Sequence, residues 1–377
     1  MYQLTFSFEE FLAEFWQKKP TIIKGGFKNF VDPITPDELA GLAMEEEVDS
    51  RYIAKLADTW DVRHGPLTFD DTPEDNWSFI VQAANHWHEG AAQLITPFRQ
   101  LPGWLLDDLM ISYSTPGGGV GPHIDQYDVF ITQGSGKRHW RVGPKKDDYE
   151  EECRHPALRQ IKGFDPIIDD ILEPGDILYI PPGFPHDGYA IETSMSFSVG
   201  FRSPKKQELL SSFADFVIAN DIGDVHYHNP MLPARANNGA ILPAEAKDLE
   251  NMMRSLLDHP QLLKQWMGEH LTQNRHELDI MASEPPWQNN ETYQFLEDGE
   301  AFKRIGGLRA FYHPDQAHIL YINGDQYQLP PECADAAKLL CDEEQVTYAQ
   351  LGEQLDHPAF LAMLTQLINL GYWYPVE

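Results

Sequence analysis

The sequence predicts an α+β protein with a β-sandwich or barrel in its middle, amphipathic helices behind it, and a small helix-and-hairpin module at its end. Five short apolar runs lie between about residues 107 and 202, divided by Gly, Pro and charged turns. Several short strands so punctuated suit a sandwich or barrel. Beyond residue 205 the apolar period becomes helical. Later, Asn323-Gly324 separates two β-like runs, a strong hairpin signal. At 377 residues the chain exceeds one comfortable core, so two or three domains are expected.

Taken in order, residues 1–100 mix short helical patterns with "PTIIKGGF", a strand-like run closed by glycines. The β runs are "DLMISYS", "YDVFITQ", "RHWRVG", "GDILYIPP" and "SMSFSVGFR". Leu209, Phe213, Phe216 and Val217 then recur at helical spacing, followed by Leu249, Met252, Met253, Leu256 and Leu257, then Leu263 and Trp266. Helices behind a finished β domain must bury these faces. Packing on one another does so, and so does packing across a two-fold axis, the commonest oligomeric symmetry. A homodimer through residues 206–275 is the expectation, with Phe213 and Leu256 at its contact.

"SEPPWQNNE" reads as a linker, and "AHILYINGDQYQL" as the hairpin. The closing "TYAQLGEQLDHPAFLAMLTQLINLGYW" reads as two short helices, which together suit a winged helix. From residue 283 onward 15 acidic residues face four basic ones, so this module is expected to contact protein rather than DNA.

The whole chain carries 28 basic and 59 acidic residues, a formal charge of −31. Such a field repels phosphate backbones and attracts basic partners, though acidity also serves solubility. Cys153, Cys333 and Cys341 lie far apart, with neither a C-x-x-C pair nor a disulfide framework. The start, "MYQLTFSFEEFLAEFW", lacks the basic region and unbroken apolar core of a signal peptide. No stretch reaches membrane-spanning length. A cytoplasmic protein, not held in a membrane, is expected.

"GPHIDQYDVF" (121–130) places His123 and Asp125 two apart at the mouth of an apolar strand, where positions i and i+2 share a face. Alone, H-x-D reads most simply as a solvated strand edge. "EPGDILYIPPGFPHDGYA" changes that reading by supplying His186, 61 residues after Asp125, at the end of a rigid Pro/Gly exit. Two imidazoles and one carboxylate on one face make the 2-His-1-carboxylate triad, which leaves positions open on Fe(II). Zinc would prefer a further nitrogen or sulfur ligand.

Open positions call for dioxygen and a bidentate co-substrate. If that is a 2-oxo acid with a distal carboxylate, a cation must hold its far end. "GSGKRHWRV" offers Lys137, Arg138 and Arg141. Arg138 alternates with Trp140 and Val142 and so shares their inward face, where an arginine needs an anionic partner. Its planar fork suits a carboxylate.

H-x-D, the later His and the strand arginine together resemble the JmjC class of Fe(II)/2-oxoglutarate oxygenases. "FWQKKPTIIKGGF", "DLMISYSTPGGGVGPHIDQYDVFI", "GKRHWRVG" and "GDILYIPPGFPHDGYA" are similar to the bacterial ribosomal oxygenases (the YcfD-like group), over nearly the whole chain. The resemblance implies a double-stranded β-helix barrel of jelly-roll, cupin-like form, then a dimerising helical segment and a winged helix. The expected domains are 1–205 (barrel core about 92–203), 206–282 and 283–377. It further implies that His123, Asp125 and His186 bind Fe(II), that Arg138 holds the distal carboxylate of 2-oxoglutarate, and that Ser112 and Ser196 line the co-substrate pocket. Dioxygen is the second co-substrate. The implied substrate is an arginine, hydroxylated at its β-carbon, in a basic large-subunit ribosomal protein, the sixteenth of the L series.

Other oxygenase substrates share the same iron chemistry: histidine or asparagine hydroxylation, or demethylation of lysine. A cupin-like isomerase or metal sensor would share the barrel, but would usually offer H-x-H with a later glutamate where this chain has Asp125. A regulator acting through the C-terminal module is disfavoured by that module's charge.

Overall fold

The computed structural model describes residues 2–57 and 59–376. The first hundred residues form α1 (Phe8–Glu14), β1 (Thr21–Ile23), α2 (Pro36–Ala43), β2 (Ser50–Leu56), β3 (Thr59–His64), β4 (Trp77–Val81) and the short turns α3 (Ala84–Trp87) and α4 (Glu89–Ala92). Strands β5 (Leu106–Ser114), β6 (His123–Ile124), β7 (Asp128–Gln133), β8 (Arg138–Val142) and β9 (Glu151–His155) follow. The barrel closes with β10 (Leu158–Ile161), β11 (Ile168–Leu172), β12 (Ile177–Ile180), β13 (Pro185–Ala190) and β14 (Ser194–Phe201).

These strands make two antiparallel sheets, ordered β1-β12-β7-β14-β5-β4-β2-β3 and β11-β8-β13-β6-β10-β9. The jelly-roll, cupin-like barrel expected from the sequence is the result. Strand alternation decides which residues face inward. Phe130 points outward into a core shared with Phe8, Phe11, Phe98 and Tyr179. Its neighbours Val129 and Ile131 point inward against Trp140, Val142 and Leu172 of the opposite sheet. Strands β7 and β12 of the large sheet are buried on both faces, so "VFI" and "ILYI" read as continuous apolar runs.

The N-terminal part departs from its reading. There β2, β3 and β4 extend the large sheet through β4–β5 pairing, beside the single strand the sequence suggested. Runs such as "SRYIAKL" mix charged and apolar residues, and pairing with β4 decides their state.

After the barrel come α5 (Lys206–Ala219), α6 (Pro243–Leu257) and α7 (Pro260–Thr272). Phe213, Val217 and Trp266 bury against one another, with Leu209, Phe216 and Leu256 at the margin. This corrects the placement of Phe213: it is an internal contact, edge-on to Trp266 at 5.2 Å between ring centroids. No residue of α6 is buried.

The last module comprises α8 (Asn289–Glu297), β15 (Ala301–Arg304), β16 (Ala310–Tyr312), β17 (Ile319–Ile322), β18 (Asp325–Gln328) and α9 (Ala334–Asp342). It ends with β19 (Gln345–Thr347), α10 (Tyr348–Leu351), α11 (Pro358–Asn369) and β20 (Trp373–Val376). Asn323 and Gly324 turn the hairpin with φ of 52° and 91°, the doubly positive geometry that favours Asn-Gly. Helix α7 packs on this module's β16–β18 sheet, where Gly268 leaves room for the Tyr321 ring. Ion pairs Lys303–Glu89 and Arg99–Glu344 join the module to the barrel side.

Candidate metal centre

Strand β6 is two residues long, yet it centres the site. His123 pairs with His186 of β13 on one side and with Gln160 of β10 on the other. Opposed residues in an antiparallel pair share a face, and the two imidazole centroids lie 4.2 Å apart. Asp125 sits just past the end of β6. Its backbone carbonyl accepts the Gly183 N–H at 2.8 Å, which ties the Pro/Gly exit before His186 to the H-x-D segment.

Side chains of the three residues converge. Asp125 Oδ2 lies 3.7 Å from His123 Nε2 and 3.5 Å from His186 Nε2. The two Nδ1 atoms point away, 2.9 Å from the Gly121 carbonyl and 3.1 Å from the Phe184 carbonyl. A carbonyl can only accept, so each Nδ1 carries a proton, and each Nε2 is the ring nitrogen turned inward, toward Asp125. Orientation of ligating histidines by such bonds is a recurrent feature of metal sites. Two nitrogens and one carboxylate oxygen on one side fit a divalent iron with open positions. Burial opposes charge on His123 and Asp125. Their closeness prevails, holding the Asp125 carboxyl well below the usual range and raising His123. Burial first, then the Asp125 carboxylate, pushes the Tyr127 hydroxyl upward.

Asp107, Asp108 and His276 also gather, but their carboxylates are engaged. Asp107 pairs with Arg275 at 2.8 Å, and Asp108 accepts from Ala83 N–H at 2.8 Å and Gln82 Nε2 at 2.7 Å.

Arg138 faces the barrel interior and is buried. Its guanidinium donates to Ser114 Oγ at 3.1 Å, Ser112 Oγ at 3.3 Å and the Gly188 carbonyl at 3.1 Å. Nε has no partner, and no ion pair to Arg138 forms among the described residues. Burial lowers its pKa to about 10. Trp140 stands between Arg138 and the histidines, its ring 5.4 Å from Arg138 Cζ and 6.2 Å from the His186 ring. Such a guanidinium has donors ready for a carboxylate. Lys137 instead pairs with Glu173 at 2.6 Å, and Arg141 lies outward beside Asp169.

Ser112 and Ser196 are opposed across β5 and β14, and both are buried. Ser196 donates to Gln133 Oε1 at 3.3 Å and Ser112 contacts Arg138. Ser114, which sequence reasoning passed over, makes the shorter bond to Arg138 and a 2.7 Å contact with Ser78. Its signal was the i+2 spacing from Ser112 in "ISYS".

Known proteins are similar to this chain in sequence and fold. A JmjC domain model matches residues 93–209, and a ROXA-like winged helix model matches residues 255–374. The Escherichia coli K12 protein named Ribosomal protein uL16 3-hydroxylase is 52% identical over 374 residues, covering 99% of each chain. This chain belongs to the JmjC ribosomal oxygenase family. A Haemophilus influenzae member named Probable ribosomal oxygenase is 30% identical across 92% of this chain and 88% of its own. Among solved structures, E. coli YcfD superposes with a TM-score of 0.96 at 51% identity over the full length of both chains. A structure of YcfD in complex with cobalt and 2-oxoglutarate gives 0.93 at 50% identity, also over both full chains.

Proposed function

We propose that this chain is an Fe(II)- and 2-oxoglutarate-dependent hydroxylase acting on the β-carbon of an arginine in the large-subunit ribosomal protein uL16. The observation that carries the reading is the buried Arg138 guanidinium, which lacks a carboxylate partner and shares one interior with the His123–Asp125–His186 triad. An interior cation without a counter-ion is costly, and a dicarboxylate co-substrate supplies the missing charge. The name of the 52% identical relative supports the substrate.

In this reading His123, Asp125 and His186 hold the iron. When bound, that iron, with 2-oxoglutarate and dioxygen, supplies the oxidation that turns a C–H bond into C–OH and leaves succinate and carbon dioxide. The chain's own work is placement. Arg138 binds the distal carboxylate, Ser112 and Ser114 hold the guanidinium in line, and Ser196 lines the same interior. Val129, Ile131 and Trp140 wall the cleft and limit water.

The charge of −31 favours capture of a basic protein made on cytoplasmic ribosomes, which fits a cytoplasmic enzyme. No helix among the described residues is long and apolar enough to cross a membrane. The division at 205 and 282 is proposed as the functional one, with α7 bridging the last two parts. The second part is proposed as a homodimer contact: Leu210, Ile218 and Met253 are 67%, 74% and 65% exposed on α5 and α6, and apolar rows of that kind favour a partner. The winged helix is read as a protein-contact module without direct DNA binding. Lys303 is paired with Glu89, Arg304 donates to Leu340 and Cys341 carbonyls, and Arg309 to the Leu106 carbonyl, which leaves few cations for phosphates.

The test is incubation with Fe(II), 2-oxoglutarate, air and purified uL16, followed by mass spectrometry of tryptic peptides. One added oxygen on an arginine, with matching succinate, is expected. Oxygen on another residue type, or none, overturns the substrate assignment.

A further inference from the structure

Gln160 is buried on β10 directly opposite His123, and none of the assigned roles involves it. Its Nε2 donates to the Val120 carbonyl at 2.7 Å. The neighbouring Ile161 N–H donates to the Pro122 carbonyl at 2.9 Å. Carbonyls on both sides of Gly121 are thus pinned by β10, while the Gly121 carbonyl accepts His123 Nδ1–H at 2.9 Å. Gly121 has φ +77°, and the Gln160 amide lies where a Cβ on that residue would stand. Glycine is required there twice, for its backbone angle and for the close approach.

The amide cannot be reversed, because its oxygen would then face the Val120 carbonyl oxygen. As oriented, Gln160 Oε1 is buried without a partner. A buried unpaired acceptor is destabilising, and a residue serving packing alone would do better as an apolar side chain. We infer that Gln160 is a positioning residue that locks the Val120–Pro122 backbone, and through the Gly121 carbonyl fixes the tautomer and ring plane of His123 for metal binding. The inference rests on the proposed ligand role of His123.

Two variants test it in the full-length protein, with Co(II) alone as the probe. Gln160→Met keeps length and volume without a donor. Gln160→Glu keeps the shape but presents a carboxylate. Ligand-orienting partners contribute about 10–100-fold to metal affinity, so both variants should bind Co(II) more weakly by that factor in calorimetric titration. Proton NMR of the Co(II) protein should show two hyperfine-shifted, slowly exchanging ring N–H signals in wild type, one per histidine. In the variants one signal should exchange rapidly while the other persists. Unchanged affinity with both signals protected overturns the inference. So does a lowered melting temperature of the metal-free protein with both signals protected, which would make Gln160 a packing residue. Wild-type protein without either signal would remove the triad reading itself, and this inference with it.

Discussion

Arg138 donates to Ser114 Oγ at 3.1 Å inside the barrel, with its Nε unpartnered and no carboxylate in ion-pair reach among the described residues. Truncating one partner of a buried charge pair costs ~2–5 kcal/mol. Arg138→Ala should therefore raise the 2-oxoglutarate requirement roughly thirty- to several-thousand-fold. Co(II) affinity, measured without co-substrate, should stay near wild type. An unchanged 2-oxoglutarate dependence would remove Arg138 as the anchor.

Asp125→Ala deletes the one anionic member of the triad. Loss of an orienting partner already weakens metal sites about 10–100-fold, and loss of a ligand should exceed that. Equilibrium dialysis with Fe(II) or Co(II) should show binding reduced beyond this range, with turnover abolished. Wild-type succinate production by the variant would refute the assignment.

The helical segment makes separate demands on two kinds of apolar residue. Met253→Glu and Ile218→Glu alter exposed positions and should give folded monomers by light scattering. Phe213→Asp attacks the Trp266 contact and should instead lower the melting temperature. Losing such a buried aromatic costs ~3–5 kcal/mol. Wild-type protein with the mass of one chain at micromolar concentration would return α5 and α6 to packing within the protomer.

His86 gives the junction between barrel and winged helix a pH dependence. Its Nδ1 lies 2.9 Å from the Glu277 carbonyl, and its ring packs against Gly307 and 6.0 Å from the His276 ring. Burial, with Arg309 and His276 nearby, lowers its pKa to about 4. The unfolded chain, with a pKa near 6.5, binds more protons between these values. Stability is therefore full above about pH 6.5 and falls as pH drops toward 4. At pH 5 the loss from this residue should reach about 2 kcal/mol. Urea denaturation at pH 5 and 7 should show it, and His86→Gln should flatten the difference. An equal pH slope in that variant would count against the assignment.

Local periodicity made much of this protein legible from its sequence. "RHWRVG" turns Arg138, Trp140 and Val142 inward as β8, because alternation belongs to the strand itself. Asn323-Gly324 turns the last hairpin because few other residue pairs accept its backbone angles. The H-x-D spacing sets His123 and Asp125 side by side for the same reason, whereas His186, 61 residues on, reaches them only through the pairing of β13 with β6. Other features depended on which distant segments meet. Strands β2–β4 became strands by pairing outward from β5. The stripe on α5 could have faced a second chain, until Trp266 of α7 covered Phe213. Ser114 and Gln160 gained meaning only when Arg138 and His123 came beside them from strands 24 and 37 residues away. A sequence sets which face a side chain occupies. What occupies the space in front of that face is decided by chain closure and packing, where contacts far apart in sequence compete.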